Sequence, residues 1–193
     1  MQIRIHGRGG QGVVSAAEML SIAAFIEGRF AQAFPSFGSE RMGAPVMAFC
    51  RIDDQPIRSR EPVMHPDAVI IQDPTLLHQR NIFDGLDPSG YVLINSTRNL
   101  KELGIASTLE YLPPDHVSTV PATELAIRYV GRPLPNGTLL GAFAAMTGVL
   151  KLESVVAAIR SKFPGKIGES NVAAAEAAYQ LVVHRDTPEE VHV

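Results

Sequence analysis

The stretch Gln2-Ile3-Arg4-Ile5-His6-Gly7-Arg8-Gly9-Gly10-Gln11-Gly12-Val13-Val14-Ser15 decides the fold of this chain. Up to residue 6, apolar Ile3 and Ile5 alternate with polar Gln2, Arg4 and His6, which is the period of a strand. Residues 13–26 are apolar except for Ser15, Glu18 and Ser21, three apart, so only a narrow polar stripe marks a helix buried over most of its surface. Between strand and helix, Gly7, Gly9 and Gly12 follow the pattern Gly-x-Gly-x-x-Gly. The first glycine allows a sharp turn, the second lets a ligand approach bare backbone, and the third lets helix and strand pack closely. A helix N-terminus placed there offers unpaired N–H groups and a partial positive charge, where anions settle. Two readings stand: a phosphate-binding turn, or glycines that only permit a tight connection.

The next element argues against the commonest use of such a turn. A dinucleotide fold places an acid about 20 residues on, at the end of the second strand, to hold ribose hydroxyls. The second strand is expected over residues 29–34, and it ends in Gln32-Ala33-Phe34-Pro35-Ser36 without an acid. Glu27 precedes the strand and Glu40 lies beyond it in the following loop, so NAD or NADP as resident ligand is a minority reading.

Composition sets outer bounds. With 193 residues, 46% hydrophobic content and a net charge of −3, the chain suits one soluble domain around one core. A single cysteine, Cys50, excludes an internal disulfide and any all-cysteine iron–sulfur or zinc site built within the chain. No signal peptide and no membrane span is read, which gives a cytoplasmic expectation. The arginines at 51, 58 and 60 are offset by Asp53, Asp54 and Glu61, so no nucleic-acid surface is expected.

Further along, residues 35–45 form a polar loop with two prolines and two glycines, the kind of segment in which function gathers. Residues 46–52 read as a strand and 53–55 as a turn, with 56–59 running back as a short hairpin arm. Strands follow at 68–72, 91–95 and 117–120, with a short helical stretch through Phe83 and a helix over 123–130. The final third reads as helices over 139–150, 152–163 and 171–183, and residues 186–193 as an acidic tail. The fold class is therefore α/β: a Rossmann-like, doubly wound, mostly parallel sheet with a β-hairpin insertion. It is organised as a core over 1–130 with a C-terminal helical cap over 131–185.

Three segments together resemble a known family. Gly-Arg-Gly-Gly-Gln-Gly-Val-Val at 7–14, Gln-Ala-Phe-Pro-Ser-Phe-Gly-Ser-Glu-Arg-Met-Gly-Ala-Pro at 32–45 and Arg-Ile-Asp-Asp at 51–54 are similar to the gamma subunit of the 2-oxoacid:ferredoxin oxidoreductases, the pyruvate:ferredoxin oxidoreductase group. Asp67-Ala68-Val69-Ile70-Ile71 and the segment Pro-Asn-Gly-Thr-Leu-Leu-Gly-Ala-Phe at 135–143 agree. The resemblance implies a subunit working with alpha, beta and delta partners, the complex passing electrons to ferredoxin. In that family thiamine diphosphate, with Mg, attacks the 2-oxoacid and promotes its decarboxylation. Iron–sulfur clusters of the [4Fe-4S] type carry the electrons, and coenzyme A takes the acyl group. The gamma subunit is thought to shape the coenzyme A side. Pyruvate is the default substrate, and branched-chain 2-oxoacids, 2-oxoglutarate and phenylglyoxylate stay open, as does NAD in place of ferredoxin as final acceptor.

The candidate residues follow. Gly7, Arg8, Gly9, Gly10, Gln11 and Gly12 are expected to contact coenzyme A phosphate or partner subunits. Asn136, in a turn-forming Asn-Gly pair, joins them through the resemblance alone. Gly38, Ser39, Glu40, Arg41 and Gly43 form an interface or ligand loop, in which Arg41 suits a phosphate, a carboxylate or a partner's acid. His6 is placed for ligand contact but reads first as a structural histidine. His65, His78 and His116 lack metal-ligand spacing, and Cys50 reads as inert packing. No catalytic constellation is complete within the chain, so it is expected to be a non-catalytic subunit; the reading from another class is a stand-alone NAD(P)-binding or nucleotide-sensing module.

Overall fold

The computed structural model describes residues 1–36, 42–79 and 81–185. Strand β1 (Gln2–Arg8) leads through the glycine turn into helix α1 (Val13–Ile26), as the alternation and the narrow polar stripe predict. Then come β2 (Phe30–Pro35), β3 (Pro45–Asp53), β4 (Ala68–Ile71), β5 (Tyr91–Asn95) and β6 (Val117–Val120), followed by α2 (Ala122–Val130), α3 (Asn136–Thr147), α4 (Leu152–Lys162) and α5 (Gly165–Arg185). The strands form one sheet in the order β2-β3-β1-β4-β5-β6. β1, β4, β5 and β6 run parallel, while β3 is antiparallel to both of its neighbours.

The hairpin differs from the expected one. Residues 56–60 form no strand, and β3 pairs back on β2, with Phe34 opposite Phe49 and Gln32 opposite Arg51. Pro56 lacks the N–H that a returning arm would need. β3 also wedges between β2 and β1, pairing along β1 from Gln2 opposite Arg51 to Arg8 opposite Pro45. The end of β2 is thereby displaced two strand spacings from β1, about 10 Å. A ribose-holding acid at the end of β2 would stand too far from the glycine turn.

The two sheet faces are covered differently. Ile3, Ile5, Ala48, Cys50, Ile70 and Leu93 pack against α1, α3, α4 and α5 in one core. The opposite residues of the parallel strands, among them Val69, Ile71, Val92 and Ile94, pack on Leu76, Leu86, Leu103 and Leu109. That second layer holds a short 3-10 helix (Pro74–His78) followed by turns, where the sequence reading expected a helical stretch through Phe83. Arg4 reaches into it from β1, its Nη2 donating to the carbonyl oxygens of Ile82 (3.1 Å) and Asp84 (2.7 Å).

The C-terminal helices join the first core and form no separate body. Helix α3 is buried from Asn136 to Ala144, and a side chain at Gly141 would collide with the Ala175 carbonyl of α5, so the two helices cross at backbone contact. Asn136-Gly137, read as a turn, is the first turn of α3, which starts and ends three residues before the expected 139–150. Helix α5 begins six residues before the expected position 171. No helix among the described residues is long and apolar enough to cross a membrane.

Candidate functional site

The glycine turn lies at the carboxyl end of the parallel strands, where open α/β sheets bind ligands. Gly10 and Gly12 both have left-handed backbone, at φ 94° and 71°, which only glycine adopts without cost. At Gly12 a side chain would also run into the amide of Asn136. Asn136, 4% exposed, brings α3 against the turn from 124 positions away, with its Nδ2 donating to the Gly12 carbonyl at 3.5 Å.

Around Arg8 the backbone groups and each guanidinium nitrogen have a partner. The Arg8 amide donates to Gln11 Oε1 at 2.8 Å, and the Gln11 amide to the Arg8 carbonyl at 3.0 Å. The Arg8 guanidinium meets Asp73 Oδ2 at 3.2 Å through Nε, the Gly43 carbonyl at 3.0 Å through Nη1 and the Thr75 hydroxyl at 2.7 Å through Nη2. Gly9 donates to the Ala44 carbonyl at 2.9 Å and accepts from the Gly43 amide at 3.1 Å. The segment Gly43-Ala44 that leads into β3 is thus strapped across the turn. Met42, 87% exposed, lies at the end of that strap, opposite Gly9 and beside Gly10.

Beyond this tied portion the backbone is open. The amides of Gly10, Gly12, Val13, Val14 and Ser15 donate to no other group among the described residues, and Gly12 offers α1 no side-chain cap. The first turn of α1 contains no acid that would repel an anion. A cavity of about 320 Å³ opens onto these residues, bounded by Arg8, Val46 and the side chain of Ser15. A phosphate fits this donor set: backbone N–H groups, helix polarity and no acid lining the cavity.

Two groups stand apart from the site. His6 is 5% exposed on the face of β1 that Arg4 shares; burial, then the Arg4 charge, push its pKa down to about 3, which keeps the imidazole neutral. It does not line the cavity, in keeping with the structural reading. Cys50 is fully buried, and burial pushes its thiol up to about 12, so it is packing and no nucleophile.

Of the residues nominated from sequence, Gly7 through Gly12, Asn136 and Gly43 come together at this site. Gly38, Ser39, Glu40 and Arg41 lie outside the described residues. The sequence reading missed Asp73 and Thr75. Asp73 accepts from the Thr75 amide (3.0 Å) and hydroxyl (2.6 Å) and from Gln11 Nε2 (2.9 Å). Burial alone would raise the Asp73 pKa, but the bonds from Thr75 and Gln11 and the Arg8 charge hold it below the usual carboxylate range. The signal was Asp-Pro-Thr directly after a buried parallel strand, a turn-capping sequence at the ligand-binding edge of such a sheet.

The comparisons with known proteins agree with the fold. Residues 2–181 match the model of the family described as pyruvate ferredoxin/flavodoxin oxidoreductase, and the chain belongs to that family. Its relatives there are the gamma-type subunits. The pyruvate synthase subunit PorC of Methanocaldococcus jannaschii is 48% identical over 96% of this chain and 98% of its own. The common gamma subunit of the pyruvate and ketoisovalerate oxidoreductases of Thermococcus kodakarensis is 46% identical over 95% of this chain and 97% of its own. Among solved structures, the pyruvate oxidoreductase subunit PorC of Thermotoga maritima superposes with a TM-score of 0.79 at 35% identity, covering 93% of this chain and 95% of that one.

Proposed function

We propose that this chain is the gamma subunit of a complex that oxidatively decarboxylates pyruvate to acetyl-coenzyme A in the cytoplasm, and that its glycine turn holds phosphate of coenzyme A. Alpha, beta and delta subunits complete the complex. Thiamine diphosphate with Mg supplies the decarboxylation chemistry, and [4Fe-4S] clusters pass the electrons to ferredoxin. With one cysteine, buried in the core, this chain leaves the clusters to its partners.

The observation that carries the reading is the set of open amides at Gly10 and Gly12 through Ser15, at the mouth of a 320 Å³ cavity. These N–H groups bind and orient a phosphate without a side-chain charge. The position of β3 favours coenzyme A over NAD, because it separates the end of β2 from the turn that a dinucleotide would span. The name of the Thermococcus kodakarensis relative, a subunit common to pyruvate and ketoisovalerate oxidoreductases, supports placing selection of the 2-oxoacid side chain in other subunits. Branched-chain and aryl 2-oxoacids therefore remain within reach of a complex built on this subunit.

The test is to purify the native complex and screen pyruvate, 2-oxoisovalerate, 2-oxoglutarate and phenylglyoxylate for coenzyme A-dependent viologen reduction. Pyruvate is expected to be the best substrate. A chain that purifies alone, without thiamine or iron–sulfur partners, and binds NADH with micromolar affinity would instead be a nucleotide-sensing module.

A further inference from the structure

We infer that Asp73 is the positioning residue of the glycine turn, holding Arg8 and Gln11 in place so that Arg8 acts as a tether and the open backbone amides bind the anion. The inference rests on the anion-binding reading of the turn.

Both oxygens of Asp73 are fully engaged. Oδ1 accepts from the Thr75 amide and hydroxyl, and Oδ2 accepts from Gln11 Nε2 at 2.9 Å and is ion-paired with Arg8 Nε at 3.2 Å. An ionised carboxylate has about four lone-pair sites; here three hydrogen bonds and the Arg8 charge engage it. Asparagine cannot reproduce this, because its amide nitrogen would face donors on one side or the other. Through Arg8 and Gln11 the carboxylate fixes the end of β1 to the end of β4. Through Arg8 Nη1 and the Gly43 carbonyl it also fixes the connection between β2 and β3. The glycine turn and the end of β4 thus meet on one side chain, with Gly43 joined through Arg8, and that side chain makes no hydrogen bond to the open amides.

The same geometry reassigns Arg8. A guanidinium beside a phosphate site is ordinarily read as a ligand to it. Here each of its three nitrogens is already anchored, Nε hydrogen-bonded to Thr75 and ion-paired with Asp73, Nη1 on Gly43 and Nη2 on Thr75, with one N–H left over on each Nη. The Asp73 charge, 12% exposed, offsets the Arg8 charge, so the turn attracts anions through oriented amides. Were Arg8 a ligand instead, Asp73 would compete with the phosphate for it, and removing Asp73 would tighten binding.

Coenzyme A binding to the purified complex separates these cases, read by calorimetry beside KM values for coenzyme A and pyruvate. Asp73→Asn and Arg8→Gln are each expected to raise the coenzyme A Kd about tenfold, the size of one lost charged hydrogen bond. The double variant should be no weaker than the weaker single one, since both break the same tether. kcat at saturating coenzyme A and KM for pyruvate should not move, which a general loss of structure would not allow. Asp73→Glu should recover part of the loss. Should Asp73→Asn fail to assemble, Gln11→Leu cuts the same tether while leaving Arg8 its charge, and should also raise Kd. Unchanged or tighter binding in Asp73→Asn or Gln11→Leu overturns the inference. Gly12→Val separates the two levels: if it too leaves coenzyme A binding intact, the anion-binding reading falls; if it alone weakens binding, only the role of Asp73 falls.

Discussion

The glycine turn has a tied half and an open half. From Arg8 to Gln11, every backbone amide but that of Gly10 has an acceptor, and the Arg8 and Gln11 side chains are held by Gly43 and Asp73. From Gly12 to Ser15, four consecutive amides point away from any described acceptor. Both halves belong to one glycine pattern, yet the first uses its polar groups to hold a shape and the second has donors with no partner among the described residues. The sites that bind anions by backbone need both, because unpaired N–H groups are useful only where the chain cannot fold back to satisfy them.

The most disruptive way to break this division is Gly12→Val. A branched side chain at φ 71° strains the backbone and collides with Asn136, so coenzyme A binding by the complex should fall more than about tenfold and stability by about 1–3 kcal/mol. Calorimetry and urea denaturation check the two effects. If binding survives the loss of stability, the open half is not the ligand site.

A second break, without effect on the open half and spread over a wide pH range, is an acid effect beside the turn. The unfolded chain takes up a proton at His6 near pH 6.5, whereas the folded chain holds it off until about 3. Stability is therefore whole above pH 6.5 and falls as the pH drops through that window, by on the order of 5 kcal/mol in total. His6→Gln should flatten the slope of urea stability between pH 6.5 and 4.5. The Asp73 tether has a different window, since its lowered carboxyl stabilises the fold above the unfolded aspartate value and is lost only as the pH falls below it. An intact slope in His6→Gln would place the acid sensitivity elsewhere.

Asn136→Ala sharpens the comparison from the far side. It removes the buried amide that buttresses Gly12, at a cost of about 1 kcal/mol, and should weaken coenzyme A binding less than Gly12→Val does. The smallest effect is expected at Met42. Its thioether is 87% exposed, so Met42→Ala should shift stability by no more than about 0.5 kcal/mol in thermal unfolding.

What the sequence made legible follows from what local patterns encode. The alternation of Ile3 and Ile5 and the stripe of Ser15, Glu18 and Ser21 predict β1, the turn and α1 closely, and the apolar runs predict β4, β5 and β6. Period-2 alternation tells which face a residue takes but not which strand lies beside it. The insertion of β3 between β2 and β1 was therefore hidden, and with it the physical reason that a dinucleotide is disfavoured. The second layer was hidden too, because Leu76, Leu86, Leu103 and Leu109 pack from 3-10 turns and irregular chain that carry no helical period. At the site, the glycines announced themselves by their spacing. Asp73 did not, since a carboxylate that closes a network across 62 positions leaves no local trace beyond the Asp-Pro-Thr turn.

Amide hydrogen exchange across the turn, measured on the purified complex with and without coenzyme A, tests the central claim most directly. Coenzyme A should slow exchange at Gly10 and from Gly12 to Ser15, while Arg8, Gly9 and Gln11 are slow in both states. Unchanged exchange from Gly12 to Ser15 at saturating coenzyme A would contradict the assignment of the open half as the phosphate site.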